Sequence, residues 1–226
     1  MLVKYWMSKY VVTIEENDTM ENVIKSLRKH NIRRLPVIKK DKLVGIVTDR
    51  DVKRVSASDA TLLDVYELMY LISKIKVKNI MTRNPITVSP HHTVDEVAEI
   101  LIENKIGGTP VIDSTGKVVG IITQTDIFRA LISLSGLNKR GIQFALKVLD
   151  KPGSIKEITD IIREYGGRMV SILTSYDRVP RGYRLVYIRM CDIDRNSLTE
   201  LKDRIQRKAE LIYIVDHKKC SRELFE

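Results

Sequence analysis

Two stretches of this 226-residue chain carry side chains that could hold a ligand. The first runs Gly45-Ile46-Val47-Thr48-Asp49-Arg50-Asp51, the second Gly120-Ile121-Ile122-Thr123-Gln124-Thr125-Asp126. In each, an apolar, strand-like run ends in threonine and an aspartate follows three residues later. The chain then continues as an apolar-basic helix start, Val52-Lys53-Arg54 or Ile127-Phe128-Arg129. One use of this spacing is a capping box: the hydroxyl satisfies an orphan helix N–H and the acid sits at the positive end of the helix dipole. The other is to hold a ligand at a strand-to-helix junction. Neither use transforms a substrate. No Ser-His-Asp or Cys-His grouping stands out and no Gly-x-x-x-x-Gly-Lys-[Ser/Thr] loop is present, so no catalytic residue is assigned.

The remaining candidates are weaker. His91-His92 lacks a partner cysteine or acid cluster and reads as a solvated turn rather than a metal site, and His30 and His217 are isolated. Two cysteines, Cys191 and Cys220, with no Cys-x-x-Cys, indicate neither a disulfide framework nor zinc, and point to a reduced, cytoplasmic protein. No apolar run reaches the ~18 residues of a membrane span, and the first residues lack the apolar core of a signal peptide. The net charge of +10 favours anionic partners, namely nucleotides, nucleic acid or an acidic protein. A basic helix face at Lys202, Arg204, Arg207 and Lys208 keeps a nucleic-acid-binding regulator as the alternative function, although no helix-turn-helix or zinc finger supports it.

The two stretches sit inside one unit written twice, Val3–Val55 and Val77–Ala130. Met7 matches Met81, Val12-Thr13-Ile14 matches Ile86-Thr87-Val88, and Pro36-Val37-Ile38 matches Pro110-Val111-Ile112. Each unit reads β-α-β-β-α. A short strand near Val11–Ile14 leads to a cap at Asp18-Thr19, and Met20, Val23, Ile24 and Leu27 recur at helical spacing. Two strands then flank a Lys-Lys-Asp-Lys turn, and a helix opens at Asp51. The second unit repeats this with Thr93-x-x-Glu96 as its capping box. Between the units, Thr61–Ile75 carries an apolar stripe (Leu62, Val65, Leu68, Met69, Ile72, Ile75) expected to pack on the second unit.

From about Gly141 the pattern changes. Strands are expected at Phe144–Leu149, Met169–Thr174, Tyr183–Met190 and Leu211–Val215. Helices are expected after Ser154 and over Ser197–Lys208. The order β-α-β-β-α-β is the ferredoxin-like split arrangement. The expected divisions are 1–57 and 77–136 for the two repeats, 58–76 for a linker helix and 141–218 for the last domain.

The Met7-Ser8 and Met81-Thr82 openings, the doubled Pro-Val-Ile strands and the doubled Gly-h-h-Thr-x-x-Asp stretches resemble a pair of CBS domains folded together as a Bateman module. Asp150-x-Pro152-Gly153, opening the first helix of the third unit, resembles an ACT domain, although Arg168-Met169-Val170 stands where that family often has Asn-Ile. Two CBS units followed by an ACT unit are similar to the acetoin-utilisation class of CBS–ACT proteins. The fold class implied is α+β.

That resemblance implies a regulatory protein, not an enzyme. It implies a ligand containing adenosine (AMP, ADP, ATP or S-adenosylmethionine) as a regulatory rather than catalytic cofactor. Asp51 and Asp126 would take the ribose hydroxyls, and Thr48 and Thr123 would face phosphate. Val12-Thr13 and Ile86-Thr87 would line the adenine, and Ile32-Arg33-Arg34 and Ile106-Gly107-Gly108 would meet base and phosphate. Asp150, Pro152 and Gly153 form the candidate effector loop of the ACT unit. A homodimer is implied, with no membrane partner and no metal. The two sites should differ, because Arg33, Arg34 and Arg50 stand where the second unit has Gly107, Gly108 and Thr125. The first should then favour more highly phosphorylated ligands. Both sites face one cleft, so an arginine can also reach the neighbouring ligand.

Overall fold

In the computed structural model of the protein, the described residues are 1–58, 70 and 73–225. The chain divides into two compact units, Met1–Phe128 and Arg129–Glu226. The expected linker stripe lies outside the described residues except for Ile75, which packs on the core of the first repeat and not of the second.

The first repeat contributes β1 (Ile14–Glu15), α1 (Met20–Lys29), β2 (Arg34–Lys39), β3 (Lys42–Thr48) and α2 (Asp49–Ser58). The second contributes β4 (Thr82–Arg83), α3 (Val94–Glu103), β5 (Gly108–Ile112), β6 (Val118–Thr123) and α4 (Gln124–Leu134). The hairpins form as expected. β2 and β3 turn through Lys40 and Asp41, both at positive φ. The longer second turn is held by Asp113, whose carboxylate accepts from the Thr115 and Lys117 amides. Thr93 and Glu96 form the expected capping box on α3. Thr19 occupies the cap position of α1 but makes no cap hydrogen bond through its side chain.

The first strand of each repeat is shorter than its apolar pattern implied. β1 starts at Ile14 and pairs in parallel with β2, Ile14 opposite Val37. In the second repeat the equivalent is a single bridge, Val88 opposite Val111.

The repeats exchange their opening segments, which the internal alignment did not reveal. β4 adds to β3, Thr82 opposite Ile46, although β4 belongs to the second repeat. Ser8 of the first repeat pairs with Ile121 of β6 in the matching way. Val77 and Ile80 are buried in the first repeat's core, with Met81 packed against it. Val3 is buried in the second repeat's core, with Met7 packed against that. Glycine makes room for the exchange. A Cβ on Gly45 would lie 2.5 Å from the Met81 sulfur, and one on Gly120 would lie 2.4 Å from that of Met7.

The second compact unit holds β7 (Ile142–Leu149), α5 (Ser154–Glu164), β8 (Arg168–Ser175), β9 (Tyr183–Cys191), α6 (Leu198–Gln206), β10 (Glu210–Asp216) and β11 (Ser221–Leu224). The sheet order is β11-β10-β7-β9-β8, all antiparallel. Without β11 this is a split β-α-β-β-α-β sheet. β11 was not expected. Its four residues are all exposed on a sheet edge, so no apolar alternation marks them. The helical side buries Phe144, Leu146, Ile158, Ile162, Ile188, Met190 and Leu201 in one core.

At the end of β10, Asp216 is 4% exposed and takes two bonds from Arg195, at 2.8 and 3.2 Å, and two from the Lys218 and Lys219 amides. The Arg195 hydrogen bonds, with help from those amides, hold its carboxyl at about 2, well below an ordinary aspartate. A depressed acid stabilises the fold above its unfolded pKa, near 4, and loses that contribution as pH falls through its folded value. The advantage of wild type over Asp216→Asn is therefore expected to shrink by roughly 2 kcal/mol between pH ~4 and ~2. Denaturant titration across that range checks it, and a pH-independent difference would contradict it.

Candidate functional site

In both copies the aspartate of the doubled motif bonds back to its threonine, and in the first copy both halves of a capping box are present. Asp51, 8% exposed, accepts on Oδ2 from the Thr48 amide at 2.9 Å and the Thr48 hydroxyl at 2.7 Å. Thr48 Oγ1 in turn accepts a long bond from the Asp51 amide, 3.4 Å. Asp126, 5% exposed, takes the Thr123 amide and hydroxyl at the same two distances. Each threonine spends its only hydroxyl proton on the aspartate, so it is no donor for a phosphate while that bond stands. Asp51 also has Arg54 on its other oxygen at 3.0 Å.

Two cavities of similar size flank this pair of helix starts. The first, about 490 Å³, joins Thr48, Arg50 and Asp51 of the first repeat to Asn84, Pro85, Ile86, Ile106, Gly107 and Gly108 of the second. The second, about 500 Å³, joins Thr123 and Thr125 of the second repeat to Tyr10, Val12, Asn31 and Ile32 of the first. Each cavity thus takes its threonine from one repeat and its opening segment from the other, a direct result of the exchange. Both volumes suit a small organic ligand.

Most of the expected residues meet here. Val12, Ile32, Thr123 and Thr125 line the second cavity. Thr48, Arg50, Asp51, Ile86, Ile106 and Gly108 line the first. Gly107, Arg33 and Arg34 line both. Thr13 and Thr87 line neither, and Asp126 sits behind Thr123 without lining the second cavity. The arginines therefore do not belong to the first cavity alone, contrary to their sequence proximity to Thr48 and Asp51. Burial pulls the half-buried Arg34 below the ordinary guanidinium value; Asp49 opposes the shift, and Arg50 and Arg33 add to it.

Several lining residues escaped the sequence reading. Tyr10 and His30 stand 6.4 Å apart, ring to ring, at the second cavity. Gln124 lines both cavities, and Lys105 lines the first. Tyr10 stands opposite Asn84 of the first cavity in the repeat alignment. The backbone of Ile86 is fixed by Thr109, a buried residue whose hydroxyl donates to the Ile86 carbonyl.

In the C-terminal unit, Gly153 at φ 87° caps α5. The Asp150 carboxylate lies 3.5 Å from Arg184 and accepts from the Tyr176 hydroxyl at 3.4 Å. Arg184 also donates to Ser154, 3.1 Å. His92 accepts from the Ser89 amide at 2.9 Å, a turn contact. Among the described residues there is no cluster of three metal-ligating side chains, and no helix is long and apolar enough to cross a membrane.

The profile of the CBS domain matches residues 3–58 and 77–133. A CBS domain-containing protein of Dictyostelium discoideum is 35% identical over 135 residues, covering 59% of this chain and 93% of the relative. The crystal structure of the CBS domain pair of protein MJ0100, in complex with 5′-methylthioadenosine and S-adenosyl-L-methionine, is 36% identical. It superposes with a TM-score of 0.50 over 58% of this chain and 95% of its own. An acetoin utilization protein of Vibrio cholerae is 25% identical, with a TM-score of 0.51 over 62% of this chain and 96% of its own. The doubled motif, the exchanged openings and the paired cavities are thus those of a tandem CBS pair, and the chain belongs to the CBS-domain family.

Proposed function

We propose that this protein is a regulatory sensor whose CBS pair binds adenosine-containing ligands in the two cavities. The observation that carries the reading is the paired construction itself. Each cavity has apolar walls for a base, from Pro85, Ile86 and Ile106 or from Val12 and Ile32. Each also has guanidinium groups for phosphate or carboxylate. In the first, the Asp51 carboxylate stands where it can accept from a ribose. The MJ0100 pair, which holds two adenosine derivatives, supports the ligand class. The ligand is AMP, ADP, ATP or S-adenosylmethionine, acting as an effector and not as a catalytic cofactor.

The same reading makes the C-terminal sheet an ACT-type effector unit, with Asp150, Pro152 and Gly153 in its loop. Ligand binding is relayed to that unit or to a protein partner through different affinities for two conformations. It also makes the protein a cytoplasmic homodimer without enzymatic activity, of the acetoin-utilisation type. A melting-temperature panel tests the ligand class. Adenine nucleotides or S-adenosylmethionine should raise the midpoint and guanine nucleotides should raise it less, with about 2.7 kcal/mol of added stability at ~100-fold excess over Kd. No shift with any adenosine compound at millimolar concentration would refute the reading.

A further inference from the structure

We infer that Arg34 is a shared phosphate anchor that sets the two cavities against each other when both ligands are phosphorylated. The inference rests on the adenosine reading of the cleft and adds the regulation of that site. Arg34 opens β2 of the first repeat, yet its guanidinium lies over Gly107 and Gly108 of the second. A Cβ on Gly108 would lie 2.0 Å from Nη1, and one on Gly107 would lie 2.9 Å from Nη2. Only glycine at these two positions leaves the guanidinium its place. The group so seated borders both cavities. It feels Asp49 and Arg50 of the first repeat and Asp126 of the second, so its charge is felt at both helix starts. Arg33 also borders both, but it is exposed and solvated where Arg34 is half-buried and held.

One guanidinium carries a single positive charge, and a phosphate that faces it in a forked pair takes up most of that charge. A phosphorylated ligand in either cavity draws on that fork and places negative charge beside the other cavity. A second phosphorylated ligand then finds the fork engaged and meets like charge across a shared wall. A ligand without phosphate makes no such claim. The two cavities are therefore independent for adenosine and antagonistic for ATP, so mixed occupancy by one phosphorylated and one uncharged ligand is preferred over two phosphorylated ones.

The test uses the full chain with one cavity closed at a time. Arg50→Trp fills the first and Thr125→Trp fills the second; both positions are exposed and equivalent in the two repeats. Calorimetric titration with ATP and with adenosine gives each cavity's own constants. Adding Arg34→Met is expected to weaken ATP about tenfold or more in both one-cavity variants. Adenosine affinity should stay within about threefold, which also shows that the variant is folded. In the two-cavity protein, the product of the two ATP constants should fall about tenfold or more below the product from the one-cavity variants, and adenosine should show no such deficit. An ATP loss confined to one cavity, or ATP binding in the two-cavity protein that matches the one-cavity product, overturns the inference and leaves the adenosine reading intact. Absence of adenosine and ATP binding from every form overturns both.

Discussion

Deleting residues 1–8 is expected to unfold the second repeat and leave the first largely folded. The deleted segment carries Val3, fully buried among Val88, Val97, Leu101, Val111 and Ile122, and Met7 packed on the same cluster. It also carries the Ser8 backbone pair with Ile121 and the carbonyl of Met1, which accepts from the Val94 amide at the start of α3. Full burial of the valine is worth about 1.5–3 kcal/mol, the half-buried methionine adds less, and the emptied volume and lost backbone bonds add a further penalty. A loss on the order of 5 kcal/mol, against the 5–15 kcal/mol typical of a domain, is enough to melt a repeat. Hydrogen exchange resolves where the loss falls. Amides of β5 and β6 should lose protection while those of β2 and β3 keep theirs, and the reverse pattern would show that the exchange of segments is wrong.

Asp51→Ala should combine two losses that Asp126→Ala separates. In either variant the amide and hydroxyl of a half-buried threonine lose their acceptor, at a cost of about 1–2 kcal/mol. Only Asp51 also lines its cavity, so its removal should weaken ligand at the first cavity by a further charged hydrogen bond, about 1.5–3 kcal/mol. Asp126→Ala should match it in unfolding free energy and differ in binding, acting on the second cavity only through Thr123. Denaturant titration paired with calorimetry measures both quantities. Equal binding losses from the two variants would show that the cavity lining does not distinguish the aspartates.

The duplicated register, both hairpins and the Thr93–Glu96 box were legible because each is a local pattern: matched residues, turn chemistry, a four-residue cap. The Thr-x-x-Asp stretches were legible as caps for the same reason. What escaped was non-local. An apolar residue such as Val3 or Val77 announces that it will be buried, not against which repeat, so the exchange left no periodic trace. Arg34 was ascribed to the site nearest in sequence because nothing in the chain records that Gly107 and Gly108 open a seat for it. Tyr10 is 81% exposed and lies outside any apolar pattern. It mattered only once the cavity beside His30 was visible.

The exchange also bears on ancestry. A lone repeat of this kind lacks the opening segment that finishes its own core, and presents one that fits another copy. Two identical copies satisfy each other by a two-fold swap, a low-cost route to a dimer. A single-repeat ancestor would already have had to work as a pair of chains, with two identical pockets across the symmetry axis. Joining the copies in one chain then removed that symmetry. The two halves could then differ, as they do where one carries Arg33-Arg34 and the other Gly107-Gly108, a difference no symmetric dimer can hold.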